Sequence, residues 1–291
     1  MVPVRRALLG LGALTALVTA SDGAAFCRSS TCKGEACTTD SDGCPASGAK
    51  LFWKGHCIGY SMQMHGTQNL PMDKVRDAVR KAFAAWSDVD CGDDKTASLT
   101  FGELKDTNCI EVAYDPKGPN VNVVLFRDND WKYKNTDNTL AKAIAHFDTK
   151  TGEIVDADIE VNSASNNFTI SAKNAQFDLQ TVLTHEVGHF IGLGHSSDPD
   201  SVMYASYERG STKGRTLTPD DIAAVCTVYP PGRAGTCDLV PKNGFDNCQP
   251  APADGMCGAS RRPPATTTGW VALLWAAGLP LLVRMARKER T

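Results

Sequence analysis

The run 184–195 contains the residues whose types and spacing could do chemistry. It reads Thr-His-Glu-Val-Gly-His-Phe-Ile-Gly-Leu-Gly-His, so histidines stand at positions 185, 189 and 195. Residues four apart on a helix lie on one face, and the imidazoles of His185 and His189 can therefore reach one metal ion at about 2.0 to 2.1 Å. The spacing predicts that a helix presents these two side chains to a shared ion.

Two glycines near the end of the run allow a third ligand to join the first two. Gly192 and Gly194 favour a helix end with positive φ, after which the chain can turn back and present the ring of His195. Three nitrogen ligands leave a fourth position for water, which is the arrangement of catalytic zinc sites. The run therefore predicts one catalytic Zn²⁺ held by His185, His189 and His195.

Glu186 directly follows the first of these histidines, so its carboxylate can lie beside the ion without binding it. Zn²⁺ lowers the pKa of bound water to about 7 and polarises a carbonyl group, while a neighbouring carboxylate can take the water proton and return it to a leaving amine. The residue types therefore predict hydrolysis of peptide bonds, with Glu186 as the general base and proteins or peptides as substrates.

Two other functions fit the same run. The first is a catalytically idle zinc-binding module, although a structural site has no need for a base at position 186. The second is a hydrolase that processes itself or one partner without general proteolysis. The remaining histidines lack comparable spacing and are interpreted as ordinary surface or core residues: His56, His65 and His146.

Patterns elsewhere in the chain predict the elements that must position this run. Alternation predicts a strand at 60–64, and apolar residues at helical spacing predict a long amphipathic helix at 71–89. The histidine helix is predicted within 177–195, and Thr218 is expected to cap a last helix that reaches about residue 228. Further short strands are predicted at Ser98–Leu104, Val121–Phe126, Ala141–Phe147 and Ala157–Val161.

The pattern His-Glu-x-x-His-x-x-Gly-x-x-His resembles the signature of the metzincins, which a methionine turn follows. Ser-Val-Met-Tyr at 201–204 supplies that methionine as Met203. The sequences 195–204 and 217–222 (Leu-Thr-Pro-Asp-Asp-Ile) are most similar to the matrixins, the group that resembles matrix metalloproteinases. The resemblance covers roughly residues 58–231.

This resemblance implies an α+β, metzincin-like zincin fold with a twisted mixed β-sheet, three main helices and an active-site helix that ends at a glycine turn. It implies a zinc metalloendopeptidase in which Gly192 and Met203 support the site, the methionine packing beneath the metal without binding it. The substrate is expected to extend along an edge strand, here Ala157–Val161, and residues 205–207 to line part of the primed-side specificity pocket.

The sequence differs from the family pattern in three respects, and these limit which properties of the family are expected here. No Pro-Arg-Cys-Gly-type latency segment precedes the domain, so control by a cysteine switch is not implied. Only His146 stands near the expected place of an additional structural zinc site, whereas Asp148, Asp156 and Asp158 could hold Ca²⁺. Ala205 occupies the position where astacins and serralysins carry a metal-proximal tyrosine, which favours the matrixin branch.

The two ends of the sequence predict an exported chain. Residues 1–25 combine arginines, an apolar run and small residues, which is typical of a cleaved signal peptide. Residues 266–291 form a short apolar segment with a basic end, which predicts either a membrane anchor or a removed sorting tail. Together with Cys257, this tail resembles the C-terminal sorting segments of bacterial surface proteins of the myxobacterial type. We therefore expect the protein outside the cell or at its surface, with the membrane as a partner if the tail is kept.

The eleven cysteines fit such a compartment, because oxidising surroundings convert cysteines to disulfides. Ten can pair, and Cys257 is the expected odd one. Composition predicts a Cys-rich, cross-linked N-terminal segment at 26–57, a catalytic domain at 58–232 and a Cys-, Pro- and Gly-rich linker at 233–265. The formal net charge of −3 gives no support for a nucleic-acid partner, and the sequence does not indicate an oligomeric state.

Overall fold

The computed structural model describes residues 25–34, 36–133, 139–171 and 176–248. Residues 1–24 of the predicted signal peptide, Cys257 and the C-terminal apolar segment lie outside these residues. None of the helices in the described part of the chain combines the length and the apolarity that a membrane crossing needs.

A six-stranded mixed sheet forms the centre of the fold. Its strands lie in the order β1-β6-β4-β2-β3, and β5 pairs with the other side of β6. Only β5 runs antiparallel to its neighbour within this sheet. The strand bounds are β1 Phe52–Trp53, β2 Cys57–Met62, β3 Thr100–Glu103, β4 Val123–Phe126, β5 Ala141–Phe147 and β6 Glu153–Val161. A separate short pair consists of β7 Phe168–Thr169 and β8 Phe177–Asp178.

In the described part of the chain, three α-helices accompany the sheet, as the resemblance implies, and the α+β fold class is confirmed. They are α1 Met72–Ser87, α2 Leu179–Phe190 and α3 Pro219–Val228, and a short 3₁₀ turn at Lys213–Arg215 precedes the last of them. All three coincide with helices predicted from periodicity and capping. The predicted strands also form, with bounds that differ by a few residues.

The prediction that Ala157–Val161 is the edge strand is wrong. These residues belong to β6, which has β5 on one side and both β1 and β4 on the other, so the edge next to α2 is β5. The alternation of apolar and acidic residues is typical of a half-exposed strand, yet Asp158 and Glu160 are both fully buried. The acidic side chains are therefore covered by other segments of the chain, which the local sequence does not indicate.

The main core lies between the sheet and the helices α1 and α2. Val79, Phe83 and Trp86 follow one another at helical spacing along α1 and are at most 2% exposed. The indole N–H of Trp86 donates a hydrogen bond to the carbonyl oxygen of Thr184 at 2.8 Å. This bond satisfies a buried polar group and fixes α1 against the helix that carries the predicted site.

Disulfides cross-link the N-terminal Cys-rich residues to one another and tie the C-terminal ones to this core. The ten cysteines other than Cys257 form five pairs, as predicted: Cys27–Cys44, Cys32–Cys37, Cys57–Cys237, Cys91–Cys226 and Cys109–Cys248. Two cross-links therefore hold residues 233–248 against the body. At the other end, β1 lies within the predicted Cys-rich segment 26–57 but already belongs to the sheet. The domain boundaries themselves stay predictions.

Asp221 joins the start of α3 to the turn that contains Met203. Its fully buried carboxylate accepts hydrogen bonds from the backbone N–H and hydroxyl of Thr218, at 2.9 and 2.7 Å, which caps the helix. The same carboxylate accepts hydrogen bonds from the hydroxyl of Ser201 at 2.5 Å and the N–H of Val202 at 2.9 Å. One charged group therefore satisfies donors of two separate chain segments.

We expect Asp221→Ala to lower the free energy of unfolding by about 2 to 4 kcal/mol, because buried donors in both segments lose their acceptor. Urea denaturation of the variant and of wild type measures the difference. Asp73→Ala is the matched control, because Asp73 is also a first-turn acid but is exposed, and its loss is expected to cost less than about 1 kcal/mol. Equal losses in the two variants would contradict this account of Asp221.

Candidate metal centre

The helix α2 begins at a firmly held cap and carries two of the predicted metal-binding histidines. Asp178 precedes the helix, and its buried carboxylate accepts a hydrogen bond from the N–H of Thr181 at 2.9 Å. The guanidinium of Arg215 pairs with the same carboxylate. About two turns after this cap, His185 projects from the helix, and His189 follows on the same face, as their spacing predicts.

A glycine turn ends α2 and directs the chain back towards these histidines. Gly192 has φ +90°, and the N–H of Leu193 donates to the carbonyl of Gly188 at 2.9 Å, which closes the helix end. A Cβ atom added at Gly192 would lie 2.7 Å from the carbonyl oxygen of Leu51, so no larger residue fits without movement. The turn brings His195 beside the other two rings.

The three histidines converge on one point. Their ligand nitrogens all lie within 4.8 Å of one another, and the Nε2 atoms of His189 and His195 are 3.2 Å apart. Nitrogens that each lie about 2 Å from one zinc ion in tetrahedral arrangement are separated by a little over 3 Å, so this spacing fits a shared ion. The structure therefore gathers His185, His189 and His195 as the sequence predicts.

Backbone carbonyls orient two of these rings. Nδ1 of His185 lies 2.7 Å from the carbonyl oxygen of Val202, and Nδ1 of His189 lies 2.9 Å from that of Leu193. A carbonyl only accepts hydrogen bonds, so each Nδ1 carries the proton and each Nε2 offers its lone pair. Burial lowers the pKa of His185 to about 4 and that of His189 to about 3, which keeps both rings in the neutral form that binds metals.

Glu186 lies between α2 and the sheet edge. Its side chain is almost fully buried, and Oε2 accepts a hydrogen bond of 2.8 Å from the N–H of Ala143 in β5. Burial raises the pKa of Glu186 to about 7, while the bond from Ala143 opposes this shift. The carboxylate is thus fixed beside the three rings by a contact with the neighbouring strand.

Met203 packs against the histidine helix on the side where Gly188 lies. It is 1% exposed, and a Cβ atom added at Gly188 would lie 2.1 Å from its sulfur. Its carbonyl accepts a hydrogen bond of 2.9 Å from the N–H of Ser196, one residue after His195. The methionine turn therefore contacts both the helix and the loop that bear the histidines.

A cleft of about 990 Å³ runs past these residues. One wall is β5, and residues 204–207 line another part, which includes the predicted pocket residues 205–207. Ser29, Lys33 and Leu51 also line the cleft, and the sequence analysis did not identify them. The density of cysteines around residues 27–44 was a signal for cross-linking but not for contact with the cleft.

Other potential metal-binding side chains among the described residues do not form a comparable cluster. Among the described residues, the second group of three close donors is His56, Cys57 and Cys237, but a disulfide joins the two cysteines and removes their thiolates. The acidic residues Asp148, Asp156 and Asp158 do not form such a group within the described part of the chain. Asp148 instead accepts hydrogen bonds from the backbone of a surface turn.

Comparisons with known proteins agree with this geometry. The chain is 31% identical over 195 residues to Metalloendoproteinase 1-MMP of Arabidopsis thaliana, which covers 62% of this chain and 45% of the relative. It is 31% identical over 160 residues to Metalloendoproteinase 1 of Glycine max, covering 54% and 46%, and 27% identical over 183 residues to Matrix metalloproteinase-20 of Homo sapiens, covering 62% and 32%. The chain thus spans less than half the length of each of these relatives.

A family model described as Matrixin matches residues 52–230, which is more than half of the sequence and includes the sheet, all three helices and the histidine cluster. The chain therefore belongs to the matrixin family of zinc-dependent endopeptidases.

Proposed function

We propose that this protein is an endopeptidase that hydrolyses peptide bonds with Zn²⁺ held by His185, His189 and His195 and with Glu186 as general base. The observation that carries the proposal is the convergence of three neutral imidazoles beside a buried carboxylate at the edge of the sheet. A module that only binds zinc needs the imidazoles but has no use for that carboxylate.

The donor set fits the metal that the family implies. Among the described residues, the group consists of three imidazole nitrogens and no fourth protein ligand, which leaves one position open as is typical of catalytic and not of structural zinc sites. When bound, Zn²⁺ supplies Lewis acidity that favours deprotonation of a water molecule and polarises a carbonyl group. Carbonyls of Val202 and Leu193 hold the rings of His185 and His189 in the tautomer that this role requires.

Glu186 would accept the proton of the attacking water at a carboxylate oxygen and then donate it to the amine of the leaving peptide. The N–H of Ala143 holds Oε2 at 2.8 Å, which leaves Oε1 for this proton transfer. The buried surroundings exclude bulk water and strengthen the interaction of the carboxylate with its partners.

The exposed edge of β5 is suited to hold an extended substrate. In an antiparallel pair, the N–H and C=O of one residue point to the same side, and the N–H of Ala143 points away from β6 towards Glu186. Ala141 and Ala145, two residues to either side, therefore also direct their backbone groups into the cleft that they line. A peptide strand can pair with these groups by β-augmentation.

Glu186→Gln tests the role of the base, because the amide keeps the shape of the side chain but cannot take a proton. We expect the rate of casein hydrolysis to fall by about 100- to 10,000-fold while bound zinc, measured by elemental analysis, stays at one ion per chain. Glu153→Gln at the start of β6 is the matched control and is expected to retain wild-type activity.

Three outcomes of this test have different meanings. Activity that survives Glu186→Gln would reject the assigned base. Stoichiometric zinc in a wild-type protein that cuts neither casein nor a diverse peptide library would reject general proteolysis in favour of a binding module or a single-substrate hydrolase. Failure to bind zinc at all would reject the metal centre.

Export from the cytoplasm is also part of the proposal. Five disulfides connect the described residues, and oxidising compartments are where such cross-links form and persist. The predicted signal peptide at 1–25 agrees with this location. Retention at the cell surface by residues 266–291 rests on the sequence alone.

Calcium binding by Asp156 and Asp158 remains a proposal that buried charge supports. Both residues are fully buried, and Asp156 Oδ1 and Asp158 Oδ2 have no hydrogen-bond partner among the described residues. Burial raises the pKa of Asp156 to about 7 and also raises that of Asp158, to which the charge of Asp156 contributes. Nδ1 of His146 lies 3.3 Å from Asp156 Oδ2, but burial lowers the pKa of this histidine and disfavours its charged form. Protons or a cation would therefore offset the cost of two buried charges.

These shifts predict how stability depends on pH and calcium. The folded-state pKa values lie above the value of about 3.9 for an unfolded Asp, so the stability that the protonated pair contributes is complete below about pH 4 and is lost as the pH rises through about 7. In a calcium chelator we expect the melting temperature to fall between pH 5 and pH 8, and millimolar Ca²⁺ to raise it at pH 8.

Asp158→Asn is expected to weaken both the pH response and the calcium response, whereas the surface variant Asp148→Asn is expected to keep both. Thermal denaturation followed by circular dichroism gives the melting temperature of each protein at pH 5 and at pH 8, in chelator and in millimolar Ca²⁺. An equal calcium response in wild type and Asp158→Asn would exclude this pair as the binding site.

A further inference from the structure

The part of the Cys-rich N-terminal segment before Phe52 lies outside the matched family region 52–230, yet it contacts the loop that presents His195. We call residues 27–29 the clamp segment and residues 191–197 the metal loop. The metal loop contains no regular helix or strand, so its backbone groups depend on neighbouring segments for hydrogen bonds.

The clamp segment pairs with the metal loop through an isolated antiparallel bridge. The N–H of Ser29 donates to the carbonyl of Gly192, and the N–H of Gly194 donates to the carbonyl of Cys27, both at 2.9 Å. Arg28 and Leu193 face each other across this antiparallel bridge. On its other side the clamp segment is itself fixed, because the carbonyl of Ser29 accepts a hydrogen bond of 2.9 Å from the N–H of Leu51.

The hydroxyl of Ser29 reaches a group that orients a predicted zinc ligand. It donates a hydrogen bond of 3.0 Å to the carbonyl oxygen of Leu193, which is the same oxygen that lies 2.9 Å from Nδ1 of His189. This carbonyl therefore has two partners, one from the clamp segment and one from the metal site. A shift of the metal loop would move both the acceptor of His189 and the backbone of His195.

Close packing and one disulfide hold the clamp segment in this place. A Cβ atom added at Gly194 would lie 3.2 Å from Cβ of Cys27, so the two backbones approach closely. Cys27 is cross-linked to Cys44, whereas the second disulfide of this region, Cys32–Cys37, closes a local loop with a sequence separation of 5. Within the described residues, no hydrogen bond joins Cys32 or Cys37 to the metal loop.

We propose that the clamp segment is a positioning element of the metal centre, which holds the metal loop so that His189 and His195 remain in the geometry that binds Zn²⁺. The inference rests on the metal-binding part of the proposed function and not on proteolysis. Partners that orient metal ligands from outside typically change metal affinity by about 10- to 100-fold when they are removed.

Ser29→Ala tests the proposal with the least disturbance, because it removes only the hydroxyl that contacts Leu193. We expect Zn²⁺ to leave this variant about 10- to 100-fold faster than wild type when it is mixed with excess chromogenic chelator. The visible spectrum of the Co²⁺-substituted protein is expected to change, since it reports ligand geometry. The melting temperature of the metal-free protein is expected to change by less than about 2 °C.

Two variants of the same segment serve as matched controls. Ser30→Ala removes the hydroxyl of the next residue, which contacts the N–H of Cys32 and not the metal loop, and wild-type zinc release is expected. Ser29→Thr retains a hydroxyl and is expected to restore slow release. Equal release rates in Ser29→Ala and Ser30→Ala, with unchanged Co²⁺ spectra, would overturn the proposal.

A pair of disulfide deletions gives an independent comparison. The double variant Cys27→Ala/Cys44→Ala is expected to release zinc faster than Cys32→Ala/Cys37→Ala, because only the first pair anchors the clamp segment. Equal release from both double variants would overturn the assigned role of Cys27–Cys44. A wild-type protein that binds zinc and shows these differences but cuts no peptide would leave the clamp standing and reject the proteolytic function.

Discussion

Two hydrogen bonds between imidazole rings and backbone carbonyls are the interaction on which the rest of this structure depends. A buried ring can present Nε2 to a metal only if Nδ1–H has an acceptor, and Val202 and Leu193 supply those acceptors for His185 and His189. Both carbonyls belong to segments that lack regular structure. The fold must therefore fix irregular backbone as firmly as it fixes the histidine helix.

Several parts of the chain contribute to that task from different directions. Asp221 at the start of α3 binds the backbone around Val202, and Trp86 of α1 fixes α2 through the carbonyl of Thr184. The backbone around Leu193 contacts residues 27–29, which are distant in sequence. The candidate metal centre is thus assembled from local spacing on one helix and long-range contacts that hold two loops.

The division between local and long-range information also explains what could be predicted from the sequence. The spacing of His185 and His189 follows from helix geometry, and Gly192 indicates the turn that brings His195 back, so the cluster was accessible from residues alone. The edge strand was not, because the acidic alternation in β6 suggests exposure while the actual covering layer comes from distant segments. Ser29 was missed for the same reason, since its partner lies 164 residues away.

The three long-range disulfides determine what a cut in the backbone would do to the molecule. Cys57–Cys237, Cys91–Cys226 and Cys109–Cys248 have sequence separations of 180, 135 and 139 residues, and all of them span the stretch between Cys109 and Cys226. A single backbone cut anywhere in that stretch leaves two fragments that remain covalently joined three times. Such a nicked molecule can keep its sheet and helices together, and it separates into pieces only after reduction.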